Sequence, residues 1–160
     1  MTIKVGDTIP SMKLMQGTKD GPKETSTDEL FKGKKVVLFA VPGAFTPTCS
    51  AKHLPGFVQS ADAFKAKGVD TVACISVNDA FVMGAWGKDQ STDGKVSMLA
   101  DGSAAFAKAL GLELDLVARG MGVRSQRFAL VAQDGKVTHL AVEPAGQFGI
   151  SSAEDVLKHV

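Results

Sequence analysis

One short stretch constrains the fold more than any other. Lys34-Lys35 lead into Val36-Val37-Leu38-Phe39-Ala40-Val41, an unbroken apolar run, and Pro42-Gly43 follows at once. Successive side chains of a strand point to opposite faces, so a run without polar alternation predicts a strand covered on both faces. A parallel or mixed sheet packed between helices supplies that cover. The run is far shorter than the roughly 20 apolar residues that span a bilayer. Pro42-Gly43 ends the strand.

The rest of the chain supplies further elements of such a sheet. Gly17 to Lys35 is rich in Gly and Lys and reads as surface loop, with a short helical turn around 26–31. Pro47 suits the first turn of a helix, where its missing N–H would be unpaired anyway. Leu54, Phe57, Ala61 and Phe64 fall at helical spacing and mark a buried stripe, and Pro55-Gly56 within it predicts a kink. Val69 to Val77 reads as the next strand, and Asn78 as N-cap of a helix carrying Phe81, Ala85 and Trp86. Met98-Leu99 reads as a short strand, and 103–110 as a helix closed by Gly111. Phe128 to Ala132 and Lys136 to Val142 flank Gln133-Asp134-Gly135, a hairpin signal. Ser151 with Glu154 matches a capping box opening a last helix. This order predicts an α/β fold with a mixed central sheet flanked by helices. A thioredoxin-like architecture fits it, and so do other α/β sandwiches.

Composition narrows the function classes. A chain of 160 residues fits a single domain over 1–160. Lys plus Arg is 18 against 17 for Asp plus Glu, and a net charge of +1 gives no reason to expect nucleic acid or a membrane as partner. The N-terminal residues show no apolar signal region, so the expectation is a soluble, cytoplasmic protein. Two cysteines, Cys49 and Cys74, are too few for a disulfide scaffold.

The informative segment is Pro42-Gly43-Ala44-Phe45-Thr46-Pro47-Thr48-Cys49-Ser50. By composition alone Cys49 is a small residue at a loop-to-helix junction. Its predicted place in a first helical turn puts unpaired N–H groups and the helix dipole at its sulfur, which favours a thiolate. Thr46 lies three residues earlier, with a hydroxyl able to donate to the thiolate and to accept from a bound partner. Pro42 and Pro47 stiffen the loop, so its donors are held in place. The dipole supplies only about 0.3–1 kcal/mol, and a tenfold gain in thiolate takes about 1.4 kcal/mol. A cation must supply the rest. Arginine is the suitable one, because it stays charged and presents several N–H groups in a fixed fork. The sequence beside Cys49 offers none.

Pro42-x-x-x-Thr46-x-x-Cys49 resembles the peroxiredoxin active-site signature. The longer form, with His53-Leu54-Pro55-Gly56-Phe57 after it, is similar to the type II (peroxiredoxin-5) subfamily. The likeness continues through Ser76-Val77-Asn78-Asp79-Ala80-Phe81, Leu99-Ala100-Asp101-Gly102 and Arg124-Ser125-Gln126-Arg127-Phe128. The resemblance implies that Cys49 is the peroxidatic cysteine, that Thr46 hydrogen-bonds it and the peroxide, and that Pro42 shields it from water. Arg127 would be the arginine that reaches the thiolate, preferred over Arg124 because it directly precedes an apolar strand. It implies a thiol peroxidase of hydrogen peroxide and alkyl hydroperoxides, passing through a sulfenic acid with no metal or organic cofactor. A homodimer is the expected assembly.

Some type II relatives resolve the sulfenic acid with a C-terminal cysteine, where this chain has Ser151-Ser152, read as helix caps. Cys74 lies in an apolar strand and reads as inert core. The expectation is a one-cysteine cycle with an external thiol, glutaredoxin with glutathione first and thioredoxin second. His53, four residues after Cys49, could form a Cys–His pair or half a zinc site. One His and one Cys are too few for structural zinc, and it reads as a packing or interface residue. Trp86, Phe81 and Phe45 read as core or dimer interface. A disulfide oxidoreductase would need Cys-x-x-Cys, which Thr46 and Lys52 exclude. The remaining alternative is a peroxide sensor that relays its oxidation to a partner.

Overall fold

The computed structural model describes residues 2–160. The apolar run forms β3 of a seven-stranded sheet. In chain order the elements are β1 (Lys13–Thr18), β2 (Gly21–Ser26), α1 (Thr27–Phe31), β3 (Lys35–Val41), a π-helical turn (Cys49–His53), α2 (Leu54–Gln59) and α3 (Ala61–Ala66). They continue with β4 (Thr71–Ser76), α4 (Ala80–Asp89), β5 (Ser97–Ala100), α5 (Ala105–Leu110), β6 (Glu113–Leu116) and a 3₁₀ turn (Val117–Arg119). Last come β7 (Gly122–Ser125), β8 (Phe128–Gln133), β9 (Lys136–Val142) and α6 (Ala153–Leu157). The strand order is β2-β1-β5-β4-β3-β8-β9, and β6 pairs β7 in a separate small sheet. β3 runs parallel to β4 and antiparallel to β8, so the sheet is mixed, as the thioredoxin-like reading requires.

β3 shows why its sequence lacks alternation. Val37, Phe39 and Val41 join one buried cluster with Leu54, Phe57, Phe64, Trp86 and Cys49. Val36, Leu38 and Ala40 join another with Phe31, Phe106 and Leu110. Each face is apolar because each packs against helices.

Several local expectations shift. The stretch read as loop after Gly17 contains the β1–β2 hairpin, with Thr18 opposite Gly21. β2 is an edge strand carrying Pro22, Lys23 and Glu24, so it lacks the apolar pattern of a core strand. Asp79, not Asn78, caps α4, its side chain accepting from Val82 N. Ser152, not Ser151, caps α6, accepting from Asp155 N. In each pair both neighbours are good capping types, and the partner that folds inward is not the cap. Phe81 lies on the outer face of α4, 74% exposed, while Met83 and Trp86 are buried. Phe45 is 53% exposed.

The kink expected at Pro55-Gly56 takes another form. Pro55 has no N–H to offer Ala51, and its ring crowds that carbonyl. The chain widens ahead of it into the π turn, where Leu54 N–H donates to Cys49 O. Ser60 then separates α2 from α3.

Candidate active site

The end of β3 delivers Pro42 to a loop anchored from β4. Asn78 accepts from Ala44 N at 3.0 Å and from Ser76 Oγ at 2.6 Å. Phe45 adopts a φ of 63°, a left-handed backbone that is uncommon for a bulky residue. Gly43 makes room for its neighbours: a Cβ there would lie 3.0 Å from Thr46 Cγ2 and 3.2 Å from an Arg124 guanidinium nitrogen, and those side chains would have to shift. The helical segment starts at Pro47, which places Cys49 in its first turn. Ser50 N–H donates to Thr46 O at 2.9 Å, and Trp86 Nε1 donates to Ser50 Oγ at 3.0 Å. The cysteine turn is thus tied to the core through a buried tryptophan.

Arg127 immediately precedes β8, whose Phe128 pairs with Ala40 of β3. It therefore enters beside the end of β3. Its Nη2 donates to Cys49 Sγ at 3.0 Å, and its Nη1 lies 2.8 Å from His53 Nδ1. Arg124 goes elsewhere. Its Nε donates to Met121 O at 2.8 Å and its Nη1 to Pro42 O at 3.5 Å, bracing the loop.

Thr46 does not hold the sulfur in this state. Its Oγ1 donates to Gly43 O at 2.7 Å, which occupies its only proton. The lone pairs of that oxygen remain able to accept, so of the two expected roles the geometry keeps the acceptor. Both cysteines are free and buried. Cys74 is paired within the sheet opposite Phe39 and Met98, and burial first, with Cys49 as a second cause, pushes its thiol well up.

His53 is more than packing. The ring is fully buried against Phe39, Phe57 and Phe148. Its Nε2 lies 2.9 Å from the Ser151 carbonyl, an acceptor only, so Nε2 carries the proton. Nδ1 then presents a lone pair to Arg127. Burial, and after it the Arg127 charge, hold the imidazole down to about 3, so it stays neutral. Arg127 occupies the lone pair a general base would use. The spacing Cys49-x-x-x-His53 was the available signal, since the π turn stacks the two on one face.

Behind His53 lies a carboxylate the sequence reading passed over. Glu143 Oε2 accepts from Gly149 N at 2.7 Å, Ser151 N at 2.8 Å and Ser151 Oγ at 2.7 Å. Burial raises its pKa, but these hydrogen bonds outweigh that and leave it lowered. A cavity of about 150 Å³ opens beside the site, lined by Pro42, Thr48, Leu114, Gln126 and Arg127 together with the chain at 143–147. A larger one of about 550 Å³ lies at the opposite end of β4, among Lys65, Asp70, Lys88 and Thr92, and includes none of Pro42, Thr46, Cys49, His53, Arg127 and Glu143.

The Redoxin family profile matches residues 4–157. Peroxiredoxin-2C of Oryza sativa subsp. japonica is 54% identical over 159 residues, covering 98% of this chain and 97% of that protein. Reduced Prx3 from Vibrio vulnificus, solved in complex with hydrogen peroxide, matches with a TM-score of 0.93 at 55% identity over 98% of each chain. Peroxiredoxin 5 from Alvinella pompejana matches at a TM-score of 0.87 and 38% identity, covering 98% of this chain and 97% of that one. A thiol gripped by an arginine, on a thioredoxin-like sheet with relatives at this level across its length, places the chain in the Redoxin family as a type II peroxiredoxin, a thiol-dependent peroxidase.

Proposed function

We propose that Cys49 is the thiol that peroxide oxidises, assisted by Arg127, Thr46 and Pro42, and that an external thiol completes the cycle. The observation that carries this reading is the 3.0 Å contact from Arg127 Nη2 to Cys49 Sγ. A guanidinium there lies against the reacting sulfur and leaves further N–H groups to meet charge developing on peroxide oxygen. The thiolate attacks the terminal oxygen of R–O–O–H, and the S–O bond forms as the O–O bond breaks. The departing RO⁻ takes a proton from solvent to become ROH, and Cys49 becomes a sulfenic acid. Thr46 Oγ1 accepts the peroxide O–H, which orients the scissile bond. Pro42 covers the sulfur.

A first external thiol condenses with the sulfenic acid, releasing water and leaving a mixed disulfide. A second thiol then displaces Cys49 as free thiol. Glutaredoxin with glutathione is the first choice and thioredoxin the second. Cys74 supports this assignment by its place inside β4, since a bridge to Cys49 would have to pull a core strand residue toward the helix. Phe45 in the loop and Phe81 on α4 expose large apolar side chains, which supports a homodimer. Peroxide turnover measured side by side with both reductant systems tests the assignment. Turnover with glutaredoxin and glutathione is expected, and failure with both systems would remove the external-thiol cycle.

A further inference from the structure

The hydrogen bonds behind Arg127 do not stop at His53. Nη1 of the arginine meets His53 Nδ1 at 2.8 Å, and His53 Nε2 meets Ser151 O at 2.9 Å. Ser151 is fixed in turn at both its N–H and its hydroxyl by the one oxygen of Glu143. The same oxygen takes the N–H of Gly149. Phe148, next to Gly149, packs 4.9 Å from the His53 ring, and the Arg127 guanidinium lies 5.8 Å from the centre of its ring. Glu143 also touches the arginine from the other side, since its N–H donates to Arg127 O at 2.9 Å. Glu143 is 5% exposed and Ser151 is fully buried.

We propose that Glu143 is a positioning residue for peroxide reduction: by clamping Gly149 and Ser151 it fixes the carbonyl and the phenyl ring that hold His53 and Arg127 in the geometry aimed at Cys49. This rests on the reading of Arg127 above. The clamp has a reason to be a carboxylate. Three N–H and O–H donors converge on one oxygen, and a negatively charged carboxylate oxygen makes each of those bonds stronger than a neutral acceptor would. His53 needs the clamp because a neutral imidazole has two tautomers, and a displaced Ser151 carbonyl would no longer select the one whose lone pair faces Arg127. A guanidinium without that acceptor can swing off the sulfur. Misplacement by about 1 Å can cost about 100-fold in rate.

The test is Glu143→Leu, which removes the acceptor on which the three donors converge and keeps an apolar side chain in the buried position. Two quantities are read on folded protein. The second-order rate of Cys49 oxidation by hydrogen peroxide, followed by stopped-flow, is expected to fall about tenfold, short of that limit. The ¹⁵N NMR signals of the His53 imidazole are expected to move from a pure Nε2–H tautomer toward an average. A purely structural cap would lower the melting temperature and leave the His53 signals in place. Ser151→Ala keeps the carbonyl and removes one of the three donors, and it carries the same test with a smaller drop should the leucine variant fail to fold. A parent-like rate with unchanged His53 signals, in whichever variant folds, would overturn the proposal. A parent protein that does not oxidise at Cys49 would overturn the reading of the site instead.

Discussion

The buried neutral state of His53 makes a quantitative statement about acid stability. In the unfolded chain a histidine titrates near 6.5, whereas in the fold His53 is held down to about 3, by burial first and then by Arg127. The folded value is depressed, so the unfolded state binds the extra proton as pH falls below 6.5. Stability is therefore full above that point and declines by about 1.4 kcal/mol per pH unit down to about 3. Between pH 7 and pH 4.5 the loss is about 3 kcal/mol. With a urea m-value of about 2 kcal/mol/M, the unfolding midpoint falls by about 1.5 M over that interval. His139, also lowered by burial and by His159, adds in the same direction. The depression of Glu143 and the elevation of Asp101 act with opposite signs, and both carboxylates are present in parent and variant alike. His53→Gln isolates the term, because its amide can donate to Ser151 O and accept from Arg127 without titrating. Urea unfolding of parent and variant at pH 7 and pH 4.5 should show the variant losing far less stability than the parent. Equal losses would refute a neutral, proton-refusing His53 and with it the acceptor that holds Arg127.

Other outcomes follow from the same geometry. Arg127→Lys replaces the fork by one ammonium that cannot reach both Cys49 Sγ and His53 Nδ1, so the stopped-flow rate of peroxide reduction should fall about 100-fold; a rate close to the parent's would contradict this. Gly17→Ala places a Cβ 2.3 Å from Gly84 N and 2.6 Å from Ala80 O, which forces β1 from α4 and should destabilise the fold by about 3 kcal/mol in urea unfolding. Cys74→Ala should leave peroxide turnover with external thiols unchanged, with a stability loss of about 1 kcal/mol. Loss of all turnover with every external thiol would instead make Cys74 part of the cycle.

What the sequence made legible depends on how many demands a residue answers at once. β3 was readable because burial on two faces leaves no room for a polar residue between Val36 and Val41. The β1–β2 hairpin was not, because the edge strand β2 buries little and Gly17 is set by the close approach of α4. The caps at Asp79 and Ser152 were misplaced by one residue, since Asn78 and Ser151 have the same local preference and are drawn instead to Ala44 and Glu143. Cys49 was singled out by its loop, but its contact with Arg127 spans 78 residues, and only the family resemblance suggested it. Glu143 had no local signal at all. Its chemistry is a convergence of N–H groups that exists only once the chain at 143–151 has folded back.

The central claim is that peroxide is reduced at the sulfur of Cys49. Peroxide consumption by the parent and by Cys49→Ser, each with an excess of glutaredoxin and glutathione, tests it most directly. Turnover by the parent and none above background by the serine variant is the expected result, and a serine variant that consumes peroxide as fast as the parent would contradict reduction at Cys49.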